Sequence, residues 1–191
     1  MNAEASNERD CDGCTLCCKV MHVPELDKPA GRWCPHCKVA DGCGVYETRP
    51  QTCRIFRCGF LQDLALDEHW RPSVARFVLV VLAPEERVTA YVDPQRPDAW
   101  RREPYLSTLR RWSRTAVARQ GLIDAFIAGQ TFIILPDHEV DLGAVAPDEK
   151  VLSYVQRTPQ GPRYEAVKIK ASDPRSAQGA ARSIRPLSTA W

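Results

Sequence analysis

No stretch of this 191-residue chain approaches the ~20 consecutive apolar residues that a membrane-spanning helix needs, so no integral membrane protein of that kind is expected. The first ten residues, Met1 to Asp10, are polar and hold no apolar core of a secretory signal, which leads us to expect a cytoplasmic protein. Neither sign of charge dominates: 26 Lys and Arg face 24 Asp and Glu, so bulk charge offers no argument for nucleic acid. There is no G-x-S-x-G, no P-loop, no dinucleotide fingerprint and no internal repeat. No cysteine follows position 58.

What is present begins with that same residue. The composition, 44% hydrophobic and 26% charged, is that of a globular chain. All nine cysteines fall between positions 11 and 58: Cys11, Cys14, Cys17, Cys18, Cys34, Cys37, Cys43, Cys53 and Cys58. In a reducing compartment such an array does not persist as disulfides, and its short spacings read as metal ligands.

The chain divides by composition into a cysteine-rich segment over 11–62, an α+β unit over 63–170 and a basic tail over 171–191, expected to be disordered, behind a mobile polar leader over 1–10. The first segment carries few large apolar residues and is too short to fold on hydrophobic burial alone. A structural metal site supplies about 10–16 kcal/mol of apparent binding energy, enough to make up the difference. Pro50 is expected to open a short helix reaching about Cys58. In the second unit, the continuous apolar run 76–82 and the alternating run 87–92 predict a hairpin. Leu106, Leu109, Trp112, Ala116 and Val117 recur at helical spacing over 104–120, with Gly121 as a C-cap. Further hairpins are predicted from 122–128 with 131–135, and from 150–157 with 163–168. The fold class expected is therefore α+β: a small irregular cysteine-rich domain, then a hairpin-rich domain with one main amphipathic helix.

Cys11-x2-Cys14-x2-Cys17 places three thiols two residues apart, the ligand run of bacterial ferredoxins. Cys18 adjoins Cys17, and vicinal side chains tend to diverge, which suits two centres better than one. Cys34-Pro35-His36-Cys37 is a second C-x2-C pair. Eight thiolates fill two tetrahedral zinc sites, or an iron–sulfur cluster with four to spare. The three-thiol run favours iron–sulfur chemistry and the all-cysteine count favours structural zinc.

The ordered set Cys11-x2-Cys14-x2-Cys17-Cys18, Cys34, then Gly42-Cys43-Gly44-Val45-Tyr46-Glu47-x-Arg49-Pro50-x2-Cys53-Arg54-x-Phe56-x-Cys58 resembles the CxxCxxCC cysteine-cluster family, the YkgJ-type zinc- or iron-chelating domain. The resemblance covers about residues 11–62. It implies Cys11, Cys14, Cys17, Cys18, Cys34, Cys43, Cys53 and Cys58 as the metal positions, and it leaves Cys37 outside them. The family includes flagellin lysine N-methylase-like proteins, but that activity does not carry over to so short a chain.

Lys19, Lys38, Arg49, Arg54 and Arg57 lie near the ligands in sequence and are candidate charge partners. His36 sits between two cysteines as an alternative ligand. Asp137-His138-Glu139 lacks the second histidine of a zincin and reads as a loop, while His22 and His69 have no evident partners. Arg110, Arg111, Arg114 and Arg119 read as a solvated helix face. The preferred expectation is a metal-binding accessory protein holding iron, as an iron–sulfur cluster, or Zn2+, whose α+β unit contacts a protein partner. Nucleic acid is disfavoured and no membrane is expected. The alternatives are an iron–sulfur-dependent protein-modifying enzyme of methylase-like kind, and a zinc module that binds protein or nucleic acid.

Overall fold

A computed structural model describes residues 9–11, 13–82 and 86–177. The cysteine-rich segment is built from short pieces: α1 (Leu16–Val20), the two-residue strands β1 (Cys37–Lys38) and β2 (Gly42–Cys43), α2 (Gln51–Ile55) and α3 (Gly59–Gln62). The helix expected from Pro50 to about Cys58 is shorter than that, ending at Ile55, and α3 begins only after Cys58. Phe56 is extended between them and packs against the core, while Ile55 beside it is exposed. This break lets Cys58 be buried at the start of α3.

After α4 (Pro72–Ala75) come β3 (Phe77–Leu82), β4 (Arg87–Val92), α5 (Tyr105–Ala118), β5 (Leu122–Ile127), β6 (Gln130–Ile134) and β7 (Glu139–Gly143). The five strands form one sheet in the order β3-β4-β5-β6-β7. β3 and β4 are the predicted hairpin, with Phe77 opposite Val92. β4 and β5 run parallel, Arg87 aligned with Leu122, because α5 carries the chain back across the sheet between them. β7 begins at Glu139, so only Asp137 and His138 remain of the expected loop. β8 (Glu149–Thr158) and β9 (Gly161–Lys170) make the last predicted hairpin, a separate ribbon. The α+β class is as expected.

α5 ends differently from the sequence reading. Gln120, not Gly121, takes the left-handed conformation (φ 63°), and the Gly121 N–H donates back to the Ala116 carbonyl. Glycine is needed at 121 for another reason: a Cβ there would strike the Glu86 carbonyl oxygen, which accepts from Leu122 N–H where β5 joins β4. The ribbon is fastened to the same corner, since the buried Ser153 hydroxyl donates to the Gly121 carbonyl at 2.7 Å.

Among the described residues, the cysteine-rich segment forms no buried cluster separate from the main core. Leu16, Val20, Cys58 and Phe60 belong to the same buried cluster as Trp70, Phe77, Leu79, Val92, Tyr105 and Leu109. At the centre Trp70 stacks on Trp112 at 5.2 Å and meets Phe77 and Tyr105 edge-on. Arg9 also docks: it lies over the Phe60 ring and donates to the carbonyls of Phe60, Asp63 and Leu64. The rest of the expected leader, residues 1–8, lies outside the described residues, as does the tail from 178 onward. Residues 171–177 turn into a 3-10 helix, Pro174–Ala177. Among the described residues no helix is long and apolar enough to cross a membrane.

α1 is joined to the sheet by a buried ion pair. Lys19 Nζ donates to Asp93 Oδ1 at 2.6 Å and to Gln95 Oε1 at 2.9 Å, and Arg76 donates to Asp93 Oδ2 at 2.6 Å. Both Lys19 and Asp93 are buried. Burial opposes ionisation of Asp93, but the hydrogen bonds from Lys19 and the Gln95 N–H outweigh it and hold the carboxyl below its usual range. A depressed carboxyl contributes stability that is present above its unfolded pKa, about 3.9, and is lost as pH falls through its lower folded value. We therefore expect Lys19→Met to destabilise the protein by about 1–3 kcal/mol, because the buried carboxylate keeps Arg76 and the Gln95 N–H but loses its buried ammonium partner. We also expect wild type to lose stability more steeply than Asp93→Asn below about pH 4, measured by urea unfolding monitored through tryptophan fluorescence.

Candidate metal centre

The first three thiols are set by a turn and a helix. Gly13 has φ 67°, and the Cys14 N–H donates to the Cys11 carbonyl at 2.7 Å, so the chain folds tightly between these two cysteines. A side chain at Gly13 would press on the Ala40 carbonyl, with a Cβ only 3.0 Å away. Cys17 and Cys18 follow on α1, whose Leu16 and Val20 face the core. Cys14 and Cys17 pack against that core near the buried Cys58. Burial, and then the nearby thiols of Cys58 and Cys14, push the Cys11 thiol up. Burial also raises Cys58, against the N–H groups of Leu61 and Phe60. Cys11, Cys14 and Cys58 thus form one lobe, and Cys17 packs against the same core.

The second lobe is assembled by backbone hydrogen bonds. The Cys34 N–H donates to the Cys18 carbonyl at 2.9 Å, and the Cys37 N–H closes a turn on the Cys34 carbonyl at 3.1 Å. Cys37 stands directly opposite Cys43 in the β1–β2 pair. The hairpin tip is held to α1 because the Ala40 N–H donates to Thr15 Oγ1 at 3.2 Å. Cys53 enters on α2, which is anchored where Glu25 accepts from the Thr52 N–H and hydroxyl. The Cys53 thiol is raised by burial and by the neighbouring Cys18, Cys34 and Cys43.

The vicinal thiols do not diverge. Cys18 lies close to Cys17 on one side and to Cys37 on the other. The adjacent Cys17 thiol and burial push the Cys18 thiol well up. Burial, with Cys18 close by, pushes Cys37 up to about 11. The structure thus places Cys11, Cys14 and Cys58 near one another, Cys17 next to Cys18, and Cys18 near Cys34, Cys37, Cys43 and Cys53.

A buried cation beside these cysteines is one that sequence reading passed over. Lys28 is buried, and its ammonium donates to the carbonyls of Lys19, Met21 and Pro29. Burial lowers its pKa, while Cys34, Cys18, Cys17 and Cys53 act to raise it. A conspicuous spacing could not have found it; the bridge between Val23 and Lys28, which folds residue 28 back under α1, is what brings it there. The expected charge partners are committed elsewhere or exposed. Lys19 is held by Asp93, Arg49 lies over the Tyr46 ring at 3.7 Å, and Arg54 donates to the carbonyls of Arg49 and Glu47. Lys38 and Arg57 are exposed.

The remaining candidates are outside the cluster chemistry. His36 is exposed and contributes its carbonyl to Gly44 N–H. His69 pairs with Asp67 and His138 with Asp137, both at the surface, and His22 is exposed. Arg111, Arg114 and Arg119 are exposed on α5, opposite the buried Leu109, Trp112 and Ala116.

The donor set fits a thiophilic metal in kind: nine reduced cysteines, most of them partly buried, beside a buried ammonium. The thiols as placed do not close on a common point, for among the described residues no group of three or more His, Cys, Asp or Glu is arranged to hold an ion. Without metal, the raised thiols are protonated at neutral pH. We expect iodoacetamide at pH 8 to label Cys18 and Cys37 of the metal-free protein at least about tenfold more slowly than free cysteine, because only the thiolate reacts. Mass spectrometry of the labelled peptides measures this. Comparison with protein-family models, curated proteins and solved structures returns no match for this chain.

Proposed function

We propose that the protein binds a thiophilic metal, iron as an iron–sulfur cluster or zinc, through its cysteine lobes, and acts as an accessory protein for a protein partner. The observation that carries this reading is the gathering of Cys18, Cys34, Cys37 and Cys43 by backbone bonds around α1, beside a buried Lys28. A buried ammonium surrounded by neutral thiols has no balancing charge. Thiolates around an ion leave a net negative shell that an ammonium stabilises. The resemblance of residues 11–62 to the CxxCxxCC family supports the same reading. When bound, the metal supplies a cross-link between α1, the β1–β2 hairpin and α2, which share few apolar contacts of their own. The chain's residues hold it, exclude water from the core side through Leu16 and Phe60, and offset its charge through Lys28.

The test is elemental analysis with sulfide quantification on protein purified without oxygen. Iron with acid-labile sulfide and visible absorption identifies a cluster; colourless protein with zinc identifies closed thiolate sites. Protein with neither metal, before and after reconstitution, overturns the proposal. Two further outcomes are expected. Cys17→Ser lowers metal per chain, since it removes a sulfur donor at the junction of the lobes. Zinc loading of the metal-free protein at pH 7 releases protons, and the apparent affinity rises with pH, because each raised thiol must deprotonate to bind.

A further inference from the structure

The β1–β2 pair sets two thiols against each other. Cys37 and Cys43 are partners in its antiparallel register, followed by Lys38 with Gly42. The Gly44 N–H donates to the His36 carbonyl at 2.8 Å. That bond flanks the Cys37–Cys43 pair and makes it a non-hydrogen-bonded one, where the Cα atoms lie about 4.5 Å apart and both side chains leave the same face. A disulfide takes Cα atoms about 4.4–6.8 Å apart, so this backbone admits one without opening the hairpin. We propose that Cys37 and Cys43 are a redox dithiol, closed to a cross-strand disulfide by exchange with a small disulfide such as oxidised glutathione.

Other pairings are less well placed. Cys17 and Cys18 are sequence neighbours, and Cα atoms joined by one peptide unit are about 3.8 Å apart, below the disulfide range. Cys34 and Cys37 end a turn closed at 3.1 Å, but no strand register sets them opposite each other. Cys53 arrives on α2, which among the described residues shares no backbone bond with either strand. Cys37 and Cys43 are half-buried, and residues 38–41 between them are exposed, so a small reagent reaches the pair.

The exchange balances. Cys43, as thiolate, attacks one sulfur of the glutathione disulfide; that S–S bond breaks, and the departing glutathione takes up the proton Cys43 released. Cys37 then attacks the Cys43 sulfur of the mixed disulfide, expels the second glutathione and gives up its proton to it. Two protein thiols are oxidised and one glutathione disulfide is reduced to two thiols. Burial pushes Cys37 up to about 11, which suits it to the second step, where the sulfur it attacks is held beside it. Cys43 is one of the eight positions expected to hold metal, so closing the pair removes a sulfur donor. The link belongs to the metal-free chain and does not rest on the metal reading.

Reduced, metal-free, full-length protein, treated with oxidised glutathione at pH 8 without oxygen, then alkylated and digested without reduction, tests this by tandem mass spectrometry. The main internal disulfide is expected to join Cys37 to Cys43 and to be reversed by dithiothreitol. Cys37→Ser is expected to lose that link and to retain glutathione on Cys43, with core tryptophan fluorescence unchanged. Linkage of Cys37 chiefly to Cys34, linkage of Cys43 chiefly to Cys53, glutathione left on both cysteines of wild type, or no reaction at either overturns the proposal.

Discussion

The pairing of Lys19 with Asp93 is the constraint around which this molecule is arranged. A helix of only five residues has no stability of its own, since helix nucleation is unfavourable and isolated short helices are marginal in water. α1 persists because each of its faces is held. Leu16 and Val20, four residues apart, enter the sheet's core; Lys19 reaches a buried carboxylate; Cys17 and Cys18 take what remains. The ammonium and the carboxylate are 5% and 0% exposed, so neither can return to water without the helix moving away from the sheet.

That anchoring explains how so irregular a segment is positioned at all. Its apolar residues are added to a core that β3, β4 and α5 already define, with Trp70, Phe77, Tyr105 and Trp112 at the centre. The parts nearest the sheet, α1 and α3, are fixed by burial. The parts farther out, β1, β2 and α2, are held by a few hydrogen bonds and carry exposed apolar side chains such as Val39 and Ile55. The thiols of the second lobe sit in this less supported half.

Much of this was legible in the sequence, and the exceptions share a cause. β3, β4, α5 and the two later hairpins announce themselves through local periodicity, which one segment carries alone. The parallel pairing of β4 with β5 depends on where a crossover returns, so no local pattern encodes it. β7 is short, with alternating exposed and half-buried residues, and pairs only because β6 offers an edge. The cysteine positions were legible as a set, since their spacing is unusual whatever the fold. Lys28 was not, because a lysine among prolines reads as surface until the chain is seen to fold it beneath α1. Cys37 was legible as the partner of Cys34 in a C-x2-C pair, whereas its place opposite Cys43 arises from strand register.

Cys17 and Cys18 are joined by a single peptide unit. Such a unit is planar and rigid, and its flanking Cα atoms are held about 3.8 Å apart. The next residue is Lys19, whose far end is fixed in the sheet at Asp93, just past the end of β4. The two thiols nearest the middle of the cysteine array are therefore tied, within three consecutive residues, to the edge of the buried core.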